Sequence, residues 1–244
     1  MKVLVIGESC NDIFCYGTCD RLCPEVPVPV FNPTETLTNP GMAKNVQKNI
    51  QSLGVDADLC TNKNWERIKK TRYIDYRTNY MFMRLDENDN LYEKFEGIDD
   101  IDFLKYDAVI LSDYNKGFLS EEDIHNIGIK HDCIFLDTKK ILGDWCDLSK
   151  YIKINKYEFE RSKHAVAPQM KEKLIVTLGS SGCCYKNKIY PVPKVEIKDL
   201  SGAGDTFIAG LVVKYVETKN IKKSLIYANE CATKVVQKRG VSTI

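Results

Sequence analysis

The stretch Asp199-Leu200-Ser201-Gly202-Ala203-Gly204-Asp205-Thr206 decides how this chain is read. Its glycines lead directly into a segment from Asp205 to Val216 that carries Phe207, Ile208, Leu211, Val212 and Val213 and is apolar on nearly every side. A helix of that kind belongs in a core. Its first turn offers free N–H groups and the positive end of the helix dipole, which together attract an anion. Gly202, Ala203 and Gly204 let the backbone come close to a phosphate and form a candidate anion hole. Asp205 lies beside that place, where a carboxylate can take a proton from an attacking hydroxyl. Phosphoryl transfer needs this pairing of a base with charge-stabilising donors. Taken alone, the same residues also read as an aspartate stabilising the start of a core helix.

Outward from this segment, short apolar runs alternate with helical patterns. Strands are expected at Val3–Ile6, Ala108–Leu111, Cys133–Leu136 and Leu174–Thr177, each of the kind buried on both faces of a parallel sheet. A helix is expected from Ala43 to Leu53, with Gly54 at its C-terminal cap, and another from about Ile221 to Lys238. The expected fold class is α/β with a mostly parallel central sheet, in a single domain spanning residues 1–244. Two segments break the rhythm. Residues 13–40 carry Pro24-Glu25-Val26-Pro27-Val28-Pro29-Val30, in which alternate prolines exclude a central strand but allow an extended edge. Residues 71–95 alternate polar and apolar as an exposed ribbon would. Together they are expected to form a small β-lid on one side of the body.

Composition narrows the function classes. The 244 residues include 35 Lys+Arg and 34 Asp+Glu, a formal charge of +1. No global field draws in nucleic acid or an anionic membrane, so a phosphate must be held by a local site. The start Met1-Lys2-Val3-Leu4-Val5-Ile6-Gly7-Glu8 reads as a buried strand and not as a secretory signal, and no stretch is long enough to span a bilayer. The expected setting is cytoplasmic, with the ten cysteines as free thiols. Cys15, Cys19 and Cys23 contain no C-x-x-C pair, and His125, His131 and His164 have no zinc-ligand spacing. There is no G-x-x-x-x-G-K-[ST], which argues against a P-loop enzyme, and no G-x-G-x-x-G after the first strand, which argues against a dinucleotide enzyme.

Gly202-Ala203-Gly204-Asp205-Thr206-Phe207 resembles the C-terminal signature of the ribokinase-like (PfkB) carbohydrate kinases. Gly41-Met42-Ala43-Lys44-Asn45-Val46, with Asn49 and Leu53-Gly54, resembles that family's G-G-A-x-N-x-A-x-x-L-x-x-L-G sugar-binding segment. Asp12 falls where the family has an early substrate-binding aspartate. Asn155-x-x-Glu158 resembles its N-x-x-E motif, and Thr177-Leu178-Gly179-x-x-Gly182 its T-x-G-x-x-G nucleotide loop. Within the family, Arg21-Leu22-x-Pro24-Glu25-Val26-Pro27-Val28-Pro29-Val30 resembles the R-I-S-P-E-A-P-V-P-V of bacterial D-glycero-β-D-manno-heptose-7-phosphate kinases. Ser112-Asp113-Tyr114-Asn115-Lys116-Gly117, Asp137-Thr138-Lys139 and Gly240-Val241-Ser242-Thr243 resemble their S-D-Y-x-K-G, D-P-K and G-T-S-T.

The resemblance implies a three-layer ribokinase-like fold and an ATP-dependent sugar kinase. Asp205 is then the catalytic base and Gly202 to Gly204 hold the transferring phosphoryl group. Asp12, Gly41, Asn45, Asp113 and Lys116 bind the substrate. Lys139, Asn155, Glu158, Thr177, Gly179, Gly182 and Asn229 bind ATP. Asn155 and Glu158 serve Mg²⁺ through water, and Asp199, Ser201 and Ser242 fall at a site for a monovalent cation such as K⁺. The subfamily match implies heptose 7-phosphate as substrate, phosphorylated at its anomeric hydroxyl, with Arg21, Arg84 and Lys116 as candidate partners of the substrate phosphate. It also implies a homodimer through the β-lid. Ribose, fructose or fructose phosphate, and a non-catalytic sugar-phosphate-binding descendant, stay open. So do plainer readings of single residues: turn chemistry for Gly41, helix N-terminal residues for Asn155 and Glu158, surface charge for Lys139, and a local ion pair of Arg84 with Asp86. Met42 and Lys44 depart from the pattern, and the segments after Thr61 and Glu160 are shorter than in the family.

Overall fold

The computed structural model describes residues 1–244. The body is an eight-stranded sheet. Strand β1 (Lys2–Gly7) lies near one edge, between β4 (Asp56–Cys60) and β7 (Ala108–Asp113). From β7 the sheet continues through β8 (Ile134–Thr138), β9 (Tyr151–Asn155) and β10 (Leu174–Thr177), all parallel, then turns antiparallel at β11 (Cys183–Tyr185) and β12 (Lys188–Tyr190).

Strand alternation divides the core into two layers. Val3, Val5, Ile110, Phe135 and Ile175 point to one face, where they meet α1 (Ala43–Ser52), α5 (Ala203–Thr218) and α6 (Ile221–Val235). Leu4, Ile6, Leu111, Leu136 and Ile154 point to the other, under α2 (Glu121–Lys130), α3 (Lys156–Ser162) and α4 (Pro168–Lys171). This is the helix–sheet–helix layering that a parallel sheet requires.

The expected strands are present, each within a residue or two of its expected bounds. Helix α1 ends at Ser52, with Leu53 as its cap and Gly54 at φ +78°, as the glycine implied. Helix α5 opens two residues earlier than expected, behind Gly202 at φ +78°, so Asp205 is its third residue. Strands β4 and β9 and helix α2 escaped the reading of the sequence. Asp56-Ala57-Asp58 lacks an apolar run because β4 is an edge strand, and Lys153 interrupts β9 with a charge.

The second sheet has four strands in the order β3-β2-β5-β6: β2 (Ser9–Thr18), β3 (Asn32–Met42), β5 (Lys69–Asp75) and β6 (Met81–Glu87). The strands do not fill segments 13–40 and 71–95. Residues 19–31 form a loop with one isolated bridge, Leu22 to Pro29, and not the extended edge expected there. Alternate prolines remove too many amide donors for a ladder. The segment between β4 and β5 holds only a 3-10 turn, Trp65–Arg67, in line with its shortness. The small sheet rests on the chain terminus, where Val241 packs against Phe14, Tyr16 and Ile74.

Candidate active site

The carboxyl ends of β1, β7, β8, β9 and β10 all open toward the start of α5, at the sheet edge where α/β folds place ligands. Three hollows meet there. A polar cavity of about 400 Å³ lies between the small sheet and the body and includes Asp12, Gly202 and Asp205. A recess of about 160 Å³ continues from it, lined by Lys153, Asn155, Glu158, Gly204 and Asp205. Beyond Gly204 a more apolar groove of about 410 Å³ includes Thr177, Gly179, Gly182, Phe207 and Asn229. The segment 202–205 is thus the shared wall of all three.

Asp205 is 5% exposed. Its Oδ2 accepts a hydrogen bond from Asn45 Nδ2 at 2.8 Å and its Oδ1 accepts one from the Tyr114 hydroxyl at 2.7 Å. Burial pushes its pKa up to about 6, against the pull of these two donors. That value suits a group that must be ionised near neutral pH and still accept a proton. Asn45 in turn is fixed by Asn49, whose Nδ2 donates to the Asn45 carbonyl at 2.9 Å.

On the small sheet, Asp12 Oδ1 accepts from Arg72 Nη1 at 2.7 Å. A Cβ at Gly41 would stand 2.5 Å from Asp12 Oδ2 and 2.9 Å from Cys10 Sγ, so any larger residue there would displace the Asp12 carboxylate. Met42 follows at φ +60°, ψ −132°, a conformation natural to glycine and costly for methionine. Its side chain is buried with Cys10 and Ile68 and takes a hydrogen bond on sulfur from the Tyr92 hydroxyl at 3.6 Å. Lys44 is turned away, its ammonium 4.0 Å from the centre of the Trp65 ring.

Asp113 is fully enclosed. Its oxygens are occupied by Lys140 Nζ at 2.6 Å, the Asn115 amide at 3.0 Å and the Thr138 hydroxyl. Its neighbour Lys116 reaches the cavity but pairs with Asp89, which also holds Lys70 at 3.0 Å. Arg84 lines the cavity and forms a two-pronged pair with Asp86 at 2.7 and 2.9 Å, as the plainer reading had it. Arg21 lies on the exposed 19–31 loop, outside the cavity lining.

Around the recess, Asn155 and Glu158 cap α3 reciprocally. Asn155 Oδ1 accepts from the Glu158 amide at 2.9 Å, and Glu158 Oε2 accepts from the Asn155 amide at 2.7 Å. Burial raises the Glu158 pKa. With one oxygen of Glu158 and one of Asn155 spent on the cap, the set fits a Mg²⁺ held through water and nucleotide phosphates better than a protein cage. Lys139 stands 3.8 Å from the centre of the Tyr114 ring. Lys153 escaped the sequence reading. Burial alone would depress its ammonium, but its 2.8 Å pair with Asp137 outweighs that and raises its pKa. A Cβ at Gly204 would stand 3.1 Å from Lys153 Nζ, which puts a positive charge directly beneath the candidate anion hole.

In the groove, Gly179 and Gly182 have φ of +60° and +87°, and a Cβ at Gly182 would meet the Tyr190 carbonyl at 2.0 Å. Asn229 Nδ2 donates to that same carbonyl at 2.8 Å. Asp199 accepts from the Ser201 amide at 2.8 Å and from the Gly240 amide at 3.2 Å, which brings the two chain segments together. The enclosed Ser242 hydroxyl, two residues beyond Gly240, has no partner, and an orphan hydroxyl is compatible with a bound cation. Tyr114, Arg72, Arg161 and Lys153 line the hollows and were not singled out by sequence. A usable signal existed for Lys153, a charge inside an apolar strand, and for Tyr114, a phenol inside a recognised motif; Arg72 and Arg161 carried none.

The pattern of the pfkB family carbohydrate kinases matches residues 41–244. The bifunctional protein HldE of Helicobacter acinonychis is 30% identical over 302 residues, covering 98% of this chain and 63% of that protein. HldE of Helicobacter pylori strain J99 is 31% identical over 297 residues, with the same coverages. This chain therefore spans about 63% of the length of these relatives, and both alignments are longer than its 244 residues, which accords with its shortened segments. Among solved structures, a nucleoside kinase of Methanocaldococcus jannaschii superposes with TM-score 0.71 at 18% identity, covering 98% of this chain and 93% of that one. A ribokinase of Arabidopsis thaliana complexed with ribose and ATP gives 0.68 at 18% identity, with the same coverages. The fold is ribokinase-like, and the chain belongs to the pfkB family of carbohydrate kinases.

Proposed function

We propose that this kinase transfers the γ-phosphoryl group of ATP to the anomeric hydroxyl of a sugar that already carries a phosphate, with heptose 7-phosphate the foremost candidate. One observation carries this reading. Arg72 of β5 and Arg84 of β6 are directly opposed in the sheet register and both face the cavity. Like charges placed opposite one another destabilise a sheet; here each is offset by its own carboxylate, Asp12 and Asp86, so the case for a further anion rests on the surplus of charge around them. Lys70, Lys116, Lys139 and Arg161 add to the lining, against Asp12 and Asp205. Counting Asp86 and Asp89, which hold three of these six cations, still leaves the positive charges in excess by two. The resemblance of residues 21–30 and 112–117 to the heptose 7-phosphate kinases favours the heptose among phosphosugars.

In this reading Asp12, Gly41 and Asn45 bind the sugar, Asp205 takes the proton of the attacking hydroxyl, and the amides of Gly202 to Gly204 with Lys153 beneath them stabilise the transferring group. ATP lies along the groove past Gly179, Gly182 and Asn229, and Mg²⁺ and a monovalent cation take the places described. Met42, where relatives carry glycine, favours a second reading in which the sugar is smaller, such as fructose phosphate. The deciding measurement is kcat/KM for heptose 7-phosphate against unphosphorylated sugars of similar size. A neutral sugar that wins by about tenfold, or about 1.4 kcal/mol in transition-state binding, rejects the phosphate pocket.

The exposed apolar side chains of Met83 and Leu85 lie two apart on one face of β6, with Met81 exposed beyond a register shift and Leu37 exposed on β3. They support a homodimer through this sheet, which a monomeric mass by light scattering at micromolar concentration would rule out. The ten cysteines, all free thiols, support a reducing, cytoplasmic setting.

A further inference from the structure

We propose that Tyr114 is a positioning residue for the phosphoryl transfer, its phenol holding the Asp205 carboxylate in place and ionised until the sugar hydroxyl surrenders its proton. The inference rests on the kinase activity of the family and on four features of the site. The phenol donates to Asp205 Oδ1 at 2.7 Å while Asn45 takes Oδ2, so the carboxylate is held at both ends. The backbone of Tyr114 is itself clamped, because the buried Glu8 accepts from the Tyr114 amide at 2.8 Å and from the Lys116 amide at 3.0 Å. The Lys139 ammonium covers the Tyr114 ring at 3.8 Å, which ties the phenol to a cation at the mouth of the recess. Finally, Tyr114 lines both the sugar cavity and the recess, as only Lys139, Gly202 and Asp205 also do.

Burial and the adjacent Asp205 raise the phenol's pKa well above that of free tyrosine. It therefore stays protonated and can only donate. A carboxylate oxygen has room for a second donor, so the sugar hydroxyl can share Asp205 with Tyr114. As the hydroxyl oxygen bonds to phosphorus and the bond to ADP breaks, the hydroxyl proton passes to Asp205 and the tyrosine keeps its own. The other groups that face Asp205 are Lys153 from β9, Asp137 from β8, Lys139 beyond β8, and Cys10 and Asp12 from β2. None of them donates a hydrogen bond to its oxygens. Tyr114 is thus the one titratable side chain whose removal takes a donor from the base.

The test is Tyr114→Phe, with the pH profile of kcat/KM measured beside wild type. The acid limb should move to higher pH by about one unit, the scale of a lost hydrogen bond to a charged group. The apparent KM for ATP should hold. In an Asp205→Asn background the same substitution should cost nothing further. An unmoved acid limb, or an equal loss in both backgrounds, overturns the proposal. If the phenylalanine variant does not fold, wild-type protein labelled at the tyrosine ¹³Cζ gives a second readout. The resonance that Asp205→Asn shifts should titrate with the midpoint of the acid limb, and a resonance that ignores pH there overturns the proposal equally. Wild type inactive on every sugar tried would count against the kinase reading, and the ¹³C titration would still decide the Tyr114–Asp205 link.

Discussion

The polar cavity and the apolar groove hold similar volumes, about 400 and 410 Å³, on either side of Gly202 to Asp205, yet they are built on opposite principles. In the cavity nearly every lining charge is already engaged: Asp12 with Arg72, Lys70 and Lys116 with Asp89, Arg84 with Asp86, and Asp205 with Asn45 and Tyr114. The groove is walled by Val192, Pro193, Val195, Ile197 and Phe207, with Asn229 held in its wall by the Tyr190 carbonyl. A cross-bonded polar wall discriminates, because a wrong hydroxyl leaves a buried group unpaired. An apolar slot holds a flat base by burial and discriminates weakly. Substrate choice and chemistry should therefore be sensitive to single atoms on one side of the shared wall and tolerant on the other.

Asp205→Asn should break that asymmetry most severely. It keeps the shape of the site and removes the base, so kcat should fall by about 10² to 10⁴ with ATP binding little changed. Near-wild-type turnover would take Asp205 out of the mechanism. Lys153→Met comes next. It strips the cation from beneath Gly204 and leaves Asp137 buried without its partner, an injury of about 3 kcal/mol for a buried pair, to be read from denaturant melts alongside kcat. A melt unchanged within about 0.5 kcal/mol would show the pair to be solvated.

The pH dependence sharpens the comparison further. The folded pKa of Asp205, about 6, lies above the ordinary carboxylate value, so its contribution to stability is present below about pH 4 and is lost as pH rises through about 6. Activity runs the other way, with kcat/KM falling about tenfold per unit below pH 6 as the base is protonated. Asp205→Asn should remove its share of the stability trend, leaving that of the buried Glu8 and Glu158, which thermal melts of the two proteins between pH 4 and 7 can check. In the groove the effects shrink. Asn229→Ala should raise the KM for ATP about fivefold, or ~1 kcal/mol for one hydrogen bond, and leave the KM for sugar alone. Met42→Gly should change stability by less than about 1 kcal/mol, because relief of the φ +60° strain offsets lost burial. Its effect should appear in selectivity, with larger sugars gaining in kcat/KM.

Much of the frame was legible before any coordinates. The helix behind Gly202, the helix ending at Gly54 and four parallel strands announce themselves through uninterrupted apolar runs, because a segment buried on both sides must be apolar throughout. The candidate base and its glycines were legible for a local reason: a helix start and its first turn are contiguous in sequence. Lys153 and Arg72 were not, since a charge inside a strand reads as an interruption until its partner is known. The 19–31 loop misled in the other direction, because a repeat of Pro and Val looks extended whether or not a neighbour exists to pair with it.

By itself the sequence determined the layering of the body, the family and the place of Asp205, all set by local pattern and by motifs whose residues are neighbours in the chain. Only the tertiary structure decided what surrounds that carboxylate. Asn45 lies 160 residues away from it and Tyr114 lies 91, and neither bond has any signature along the chain. The opposition of Arg72 and Arg84 depends on a strand register, and the charge under Gly204 depends on which strand lies beneath the helix. Pairings of that kind come from the packing of sheet against helix, which fixes distance in space without regard to distance in sequence.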